Sequence, residues 1–114
     1  MSEIEQIRSF IDSFDLGDQI PAMEQDLKKA IGYQQRIGEL LNAADYNFKV
    51  NYAGQLDKLL TMEEETETTR KAKLEAWTAL DKRTVDDLKT IKSSLRTIIM
   101  SLMQSIKTRR EEKF

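Results

Sequence analysis

Apolar residues recur three or four positions apart along three stretches of the chain, with polar residues filling the intervals. In the first stretch Ile4, Ile7, Phe10, Ile11 and Phe14 make one stripe, which predicts a short helix within residues 1–17. Ser2 precedes the stripe and Glu5 follows three residues later, the pair that closes a capping box. Asp15-Leu16-Gly17-Asp18 is expected to end this helix, with Gly17 in the left-handed geometry that helix C-termini favour.

The second stretch predicts a long helix over residues 20–62, with Pro21 in its first turn, where a missing N–H costs nothing. Met23, Leu27, Ile31, Ile37, Leu41, Phe48, Tyr52, Leu56, Leu59 and Leu60 form its apolar face. Gly32, Gly38 and Gly54 each disfavour a helix by about 1 kcal/mol against Ala, so their presence implies close helix packing or a kink. Weak helix formers between Tyr46 and Asn51 leave open a break there.

The third stretch predicts a helix over residues 68–110. Its stripe is Leu74, Trp77, Leu80, Leu88, Ile91, Leu95, Ile98, Leu102 and Ile106, a heptad seam from Leu88 to Leu102. Asp81 and Thr84 interrupt it, which predicts looser or water-filled packing one turn past Trp77. The acidic run Glu63-Glu64-Glu65-Thr66-Glu67 separates the two long stretches and reads as a turn over residues 63–67.

These elements define an all-α fold: a long antiparallel helical hairpin with a short N-terminal helix, one domain of 114 residues. Reversal at the glutamates sets Leu27 near residues 102–106 and Tyr52 near Trp77. The short helix covers the open end, where Ile98, Ile99, Met100, Leu102 and Met103 form a band too wide for one partner helix. Two helices cannot shield both seams, so the expected assembly is an oligomeric helical bundle, a homodimer with a four-helix section. Trp77, Leu80, Ile99, Met100 and Met103 are the candidate interface.

Composition agrees and removes several functions. Charged residues are 33% of the chain and hydrophobic ones 39%, with four Gly and one Pro, a balance that suits helices. With neither Cys nor His in the sequence, disulfides, thiol nucleophiles, imidazole bases and zinc-finger sites are excluded. No apolar run approaches the roughly 20 residues of a membrane span, and the acidic N-terminus lacks a signal core. A cytoplasmic protein with no membrane association is expected.

Net charge is −2 but unevenly spread. Residues 1–27 hold seven acids and one base, whereas residues 86–114 hold seven bases and four acids. An acidic head and a basic tail can pair with each other or with separate partners.

Several groups of residues carry candidate chemistry. The glutamate run could bind a hard cation, but it lacks the Asp, Asn and Gly spacing of calcium loops, and a solvated turn explains it. Lys89, Lys92 and Arg96 share a helical face, Lys107, Arg109 and Arg110 follow, and the hairpin brings Lys28, Lys29 and Arg36 alongside. Such a stripe can neutralise phosphates, or can be an ordinary solvated face paired with the acidic first helix. Tyr46, Phe48, Lys49 and Tyr52 could stack nucleic-acid bases, although Phe48 and Tyr52 also fall on the core face. Trp77 can anchor a partner or pack internally. Met100 and Met103 with Ile99 make an adaptable apolar patch, either covered by the first helix or exposed when that helix lifts away. No carboxylate pair, phosphate loop or nucleophile motif supports catalysis, and no cofactor is expected.

The run Ile91-Lys92-Ser93-Ser94-Leu95-Arg96, after a polar turn and a Tyr-bearing second helix, resembles small helical proteins encoded by bacteriophages and mobile elements. That resemblance spans residues 31–110 and implies a replication- or recombination-accessory role. The Trp-x-Gly hairpins of another family of similar length differ, because Thr78 and Ala79 follow Trp77. The sequence thus predicts a non-enzymatic helical interaction, adaptor or inhibitor protein acting on a macromolecular protein partner. The alternative is DNA or RNA binding through Lys28, Lys29, Lys89, Lys92, Arg96, Lys107, Arg109 and Arg110.

Overall fold

In a computed structural model that describes residues 2–62 and 66–112, the chain is all-α. Helix α1 spans Glu3–Ser13, α2 Ile20–Leu60 and α3 Glu67–Glu112.

The capping box forms as its residues predict. The Ser2 hydroxyl accepts from the Glu5 N–H and the Glu5 carboxylate accepts from the Ser2 N–H, both at 3.2 Å. The helix ends earlier than expected, at Ser13, because Phe14 turns extended (φ −62°, ψ 127°) and packs on the core. No glycine among the described residues has a positive φ, so Gly17 does not supply a left-handed stop.

Helix α2 runs without interruption through Tyr46 to Asn51. The unfavourable propensities there amount to tenths of a kcal/mol per residue, and local contacts outweigh them. Phe48 and Tyr52 stack at 6.0 Å and Lys49 pairs with Asp45 at 2.9 Å, one turn away. The glycines do not mark close packing either: a Cβ at Gly32, Gly38 or Gly54 would meet nothing within 4 Å.

Past α2, the Thr61 and Met62 amides bond back to Asp57 and Leu59. Thr66 caps α3 by accepting from the Thr69 N–H at 3.2 Å, while Arg70 donates to the Met62 carbonyl at 2.9 Å. Glu63, Glu64 and Glu65, the first three residues of the predicted acidic turn, lie outside the described residues.

Contacts divide the chain into two compact units, Met1–Gly38 with Thr90–Phe114, and Glu39–Lys89. In the first unit the start of α2 lies beside the end of α3: Arg110 pairs with Glu24, and Leu27, Ile106 and Lys107 line one groove. Met23, Ala30, Ile98, Ile99, Leu102 and Ile106 form its buried core. Phe10, Ile11 and Phe14 close over that core, and Ile7 is fully buried.

The second unit is also an antiparallel pair, since Asn51 meets Asp81 while Lys58 meets Trp77. Its seam differs from the predicted one. Leu74, Thr78, Val85 and Leu88 are buried and Asp81 is half-buried, whereas Trp77 and Leu80 stand outside. The reason is geometric. Two successive three-residue steps, Leu74 to Trp77 to Leu80, fall about 120° behind a helix turning 100° per residue. Alternating steps of four and three keep one line toward the partner helix, even though they place a Thr and an Asp there. Asp81 fills the seam with a contact: its carboxylate accepts from the Asn51 amide at 2.7 Å. The Thr78 hydroxyl donates to the Leu74 carbonyl at 2.7 Å, so the buried oxygen is satisfied within its own helix.

Candidate functional site

Two surfaces, one on each unit, carry exposed large apolar side chains. On the first unit Leu27 and Ile106 line an apolar groove of about 390 Å³, with Met103, Lys107, Arg110 and Glu111 around it. Met103 is 57% and Met100 60% exposed. At 100° per residue Lys92, Arg96, Met100, Met103 and Lys107 fall on one flank of α3, and all five are exposed. Two contacts of α1 with α2, Glu3 with Arg36 at 2.6 Å and Phe10 with Tyr33 at 5.3 Å, fall on the other flank from Leu27, and the groove lining contains no α1 residue. Thus α1 leaves the groove open.

The predicted basic stripe is divided by pairing. Arg109 binds Asp18 at 3.2 Å, and Arg110 binds Glu24. The Lys29 ammonium sits 5.8 Å from the Phe10 ring centroid. Acidic head and basic tail therefore pair within the unit, through partly exposed contacts of roughly 0–1 kcal/mol each. Lys28, Lys92, Arg96 and Lys107 are exposed, and so is Lys89, which belongs to the second unit.

The candidate interface residues also separate. Ile99 is buried in the first unit's own core. Met100 and Met103 face outward on that unit. In the second unit Leu80 is 76% exposed and Trp77 41%, with the Lys58 ammonium 5.7 Å from the indole centroid.

A second groove, about 670 Å³, runs between Phe48 and Tyr52 on one side and Glu75, Thr78, Ala79, Lys82, Arg83 and Asp86 on the other. Its rim carries both signs of charge, with Phe48 half-buried and Tyr46 and Tyr52 exposed.

Sequence reasoning missed the Leu27–Ile106 groove, the seam positions Thr78 and Val85, and the Asn51–Asp81 bond. Extending the four-three alternation back from Leu88 reaches Val85, Asp81, Thr78 and Leu74, which is the signal that would have found the seam. No such signal existed for the groove. It depends on which flank α1 takes. Among the described residues no group of three or more Asp, Glu, His or Cys is placed to hold a metal ion, and no helix is long and apolar enough to cross a membrane. No family model, curated protein or solved structure matches this chain.

Proposed function

We propose that this chain is a non-enzymatic binding module whose first unit captures a protein partner bearing apolar and acidic side chains. The supporting observation is the open groove of Leu27 and Ile106 with Met103 and Met100 exposed beside it. Methionine is unbranched and polarisable, so it re-fits to irregular partner surfaces. An apolar patch rimmed by charge is the usual mark of a protein contact site. Lys92, Arg96 and Lys107 on the same flank steer and orient an acidic partner more than they add affinity.

A phosphate-binding role has less support. Two of the cations assigned to it, Arg109 and Arg110, are engaged by Asp18 and Glu24, and nucleic acid would have to displace those carboxylates. Capture from a nuclease-treated extract of the source cells, comparing the natural chain with a Met100→Asp/Met103→Asp variant, separates the readings. The protein-partner reading predicts a discrete bound protein that persists between roughly 50 and 200 mM salt and falls at least about 10-fold with the variant. Binding that vanishes with nuclease or collapses by orders of magnitude over that salt range, with no effect of the methionines, refutes it.

A further inference from the structure

Because α1 sits on the other flank, the open side of the first unit keeps a second helical line on each long helix. On α3, Lys92, Arg96, Ile99, Met103, Ile106 and Arg110 follow at steps of four, three, four, three and four. On α2, Ile20, Glu24, Leu27, Ile31, Gln34 and Gly38 repeat the same steps. This spacing keeps residues in line for contact with a further helix. The Glu24–Arg110 pair fixes the register, and seven residues inward along each helix set Ile31 level with Met103. Ile31 is 39% exposed, and Leu27 and Ile106 line the groove with Met103.

Shape and charge select what fits this side. Two antiparallel helices form a lengthwise trough, and a helix laid along it extends the bundle. The opposite flank of the same pair already holds one, α1, whose Phe10 and Ile11 pack on the core. That helix is amphipathic and acidic, with Glu3, Glu5 and Asp12 against the single base Arg8. The two flanks of α3 differ in charge. Residues 91–108 contain no acid, and their cations, Lys92, Arg96 and Lys107, all lie on the open flank, whereas Ser94, Ser101 and Ser105 take the other. Lys92, Arg96 and Lys107 form no ion pair among the described residues. A basic helix would meet like charge there, while Asp and Glu along one edge would complement it.

We infer that the partner presents an amphipathic α-helix of about five turns, roughly 27 Å long, apolar toward Leu27, Ile31 and Met103 and acidic along the edge beside Lys92, Arg96 and Lys107. The inference rests on the partner-face reading above and adds the recognised element and its charge. Docked in this way, the partner helix turns the three helical segments of the first unit into a four-helix bundle, with α1 and the newcomer on opposite flanks.

The probe is a dye-labelled synthetic peptide of about 18 residues, with Leu at alternating three- and four-residue steps and Glu at the flanking positions. One control peptide has the same residues in scrambled order, and another has Lys in place of Glu. The full chain is expected to bind the acidic peptide at least about 10-fold more tightly than either control, with a gain of peptide helicity on binding. Met103→Asp should weaken that binding at least about 10-fold, and Lys92→Glu/Arg96→Glu should turn the preference toward the Lys peptide. Thr97→Glu, exposed on the opposite flank, should change nothing, and every variant should keep the helicity of the natural chain. The acidic peptide should also displace the protein captured from extract. Equal binding of the scrambled peptide, no binding up to about 1 mM, or binding indifferent to Met103 and to the charge reversal overturns the inference. A dimer of the chain alone that Met103→Asp dissociates would assign this side to a second copy and overturn it as well. Methionine-dependent capture that the peptide fails to displace overturns the helix and leaves the partner face standing, whereas capture indifferent to the methionines fails both.

Discussion

Replacing Asn51 by Leu removes the amide that holds Asp81 in the seam of the second unit. The bond is 2.7 Å long and half-buried, and the Asn51 side-chain oxygen Oδ1 in turn accepts from the Gln55 amide at 3.4 Å. A hydrogen bond to a charged group contributes about 1.5–3 kcal/mol when buried, and partial exposure draws this toward roughly 1–1.5 kcal/mol. Asn51→Leu should therefore destabilise by about 1–2 kcal/mol, since a half-buried carboxylate is left without its amide partner. Asp81→Leu should cost less, because the stranded group is then a neutral amide. The double variant loses both polar ends and gains an apolar layer, so it should be neutral or up to roughly 4 kcal/mol more stable. Urea denaturation of the four proteins, with equal m-values checked first, yields the coupling energy. A coupling below about 0.5 kcal/mol would show that the pair is not made and that the seam runs elsewhere.

Three further outcomes follow from the same packing. Gly32→Ala and Gly54→Ala, with open space where the Cβ would go, should each stabilise by about 0.5–1 kcal/mol in thermal or urea unfolding; a loss at either site would show a hidden close approach. Ile7→Ala empties the one fully buried position of α1, a change of about 2–5 kcal/mol in a closed core. Because an 11-residue helix has little stability alone, the change should appear as fast hydrogen exchange in α1 with α3 still protected. Arg36→Ala, which breaks the pair with Glu3, should cost less than about 1 kcal/mol and fade with added salt.

Helix type and the face of α1 were legible in the sequence because they rest on local physics: spacing, the Ser2–Glu5 box and Pro21. The Leu27 pairing with the end of α3 followed from direction reversal alone. Between Leu74 and Leu88 the seam departs from the line of greatest hydrophobicity because the helical period decides which residues face the partner helix. Trp77 and Leu80 are greasier than Thr78 and Asp81, yet lie on the wrong line. Asp81 was identified as the odd residue in the packing, but its partner Asn51 sits 30 positions away, and no local pattern links them. Continuity of α2 through Asn47 and Asn51 was also hidden, since contacts one turn apart along the helix, Phe48 with Tyr52 and Lys49 with Asp45, outweigh weak propensity there. The candidate site was legible in part. The spacing on α3 marks Met100, Met103, Lys92, Arg96 and Lys107, whereas the pairing of Arg109 with Asp18 and of Arg110 with Glu24, and the burial of Ile99, depend on how distant segments pack in the first unit.

A photo-cross-linking side chain placed at Met103, with a matched one at Thr97 on the opposite flank of the same helix, tests the proposed partner face most directly. In extract from the source cells, position 103 should yield one discrete cross-linked protein band resistant to nuclease, and position 97 should yield none. Equal cross-linking at both positions, none at either, or a nucleic-acid adduct at position 103 would contradict the account.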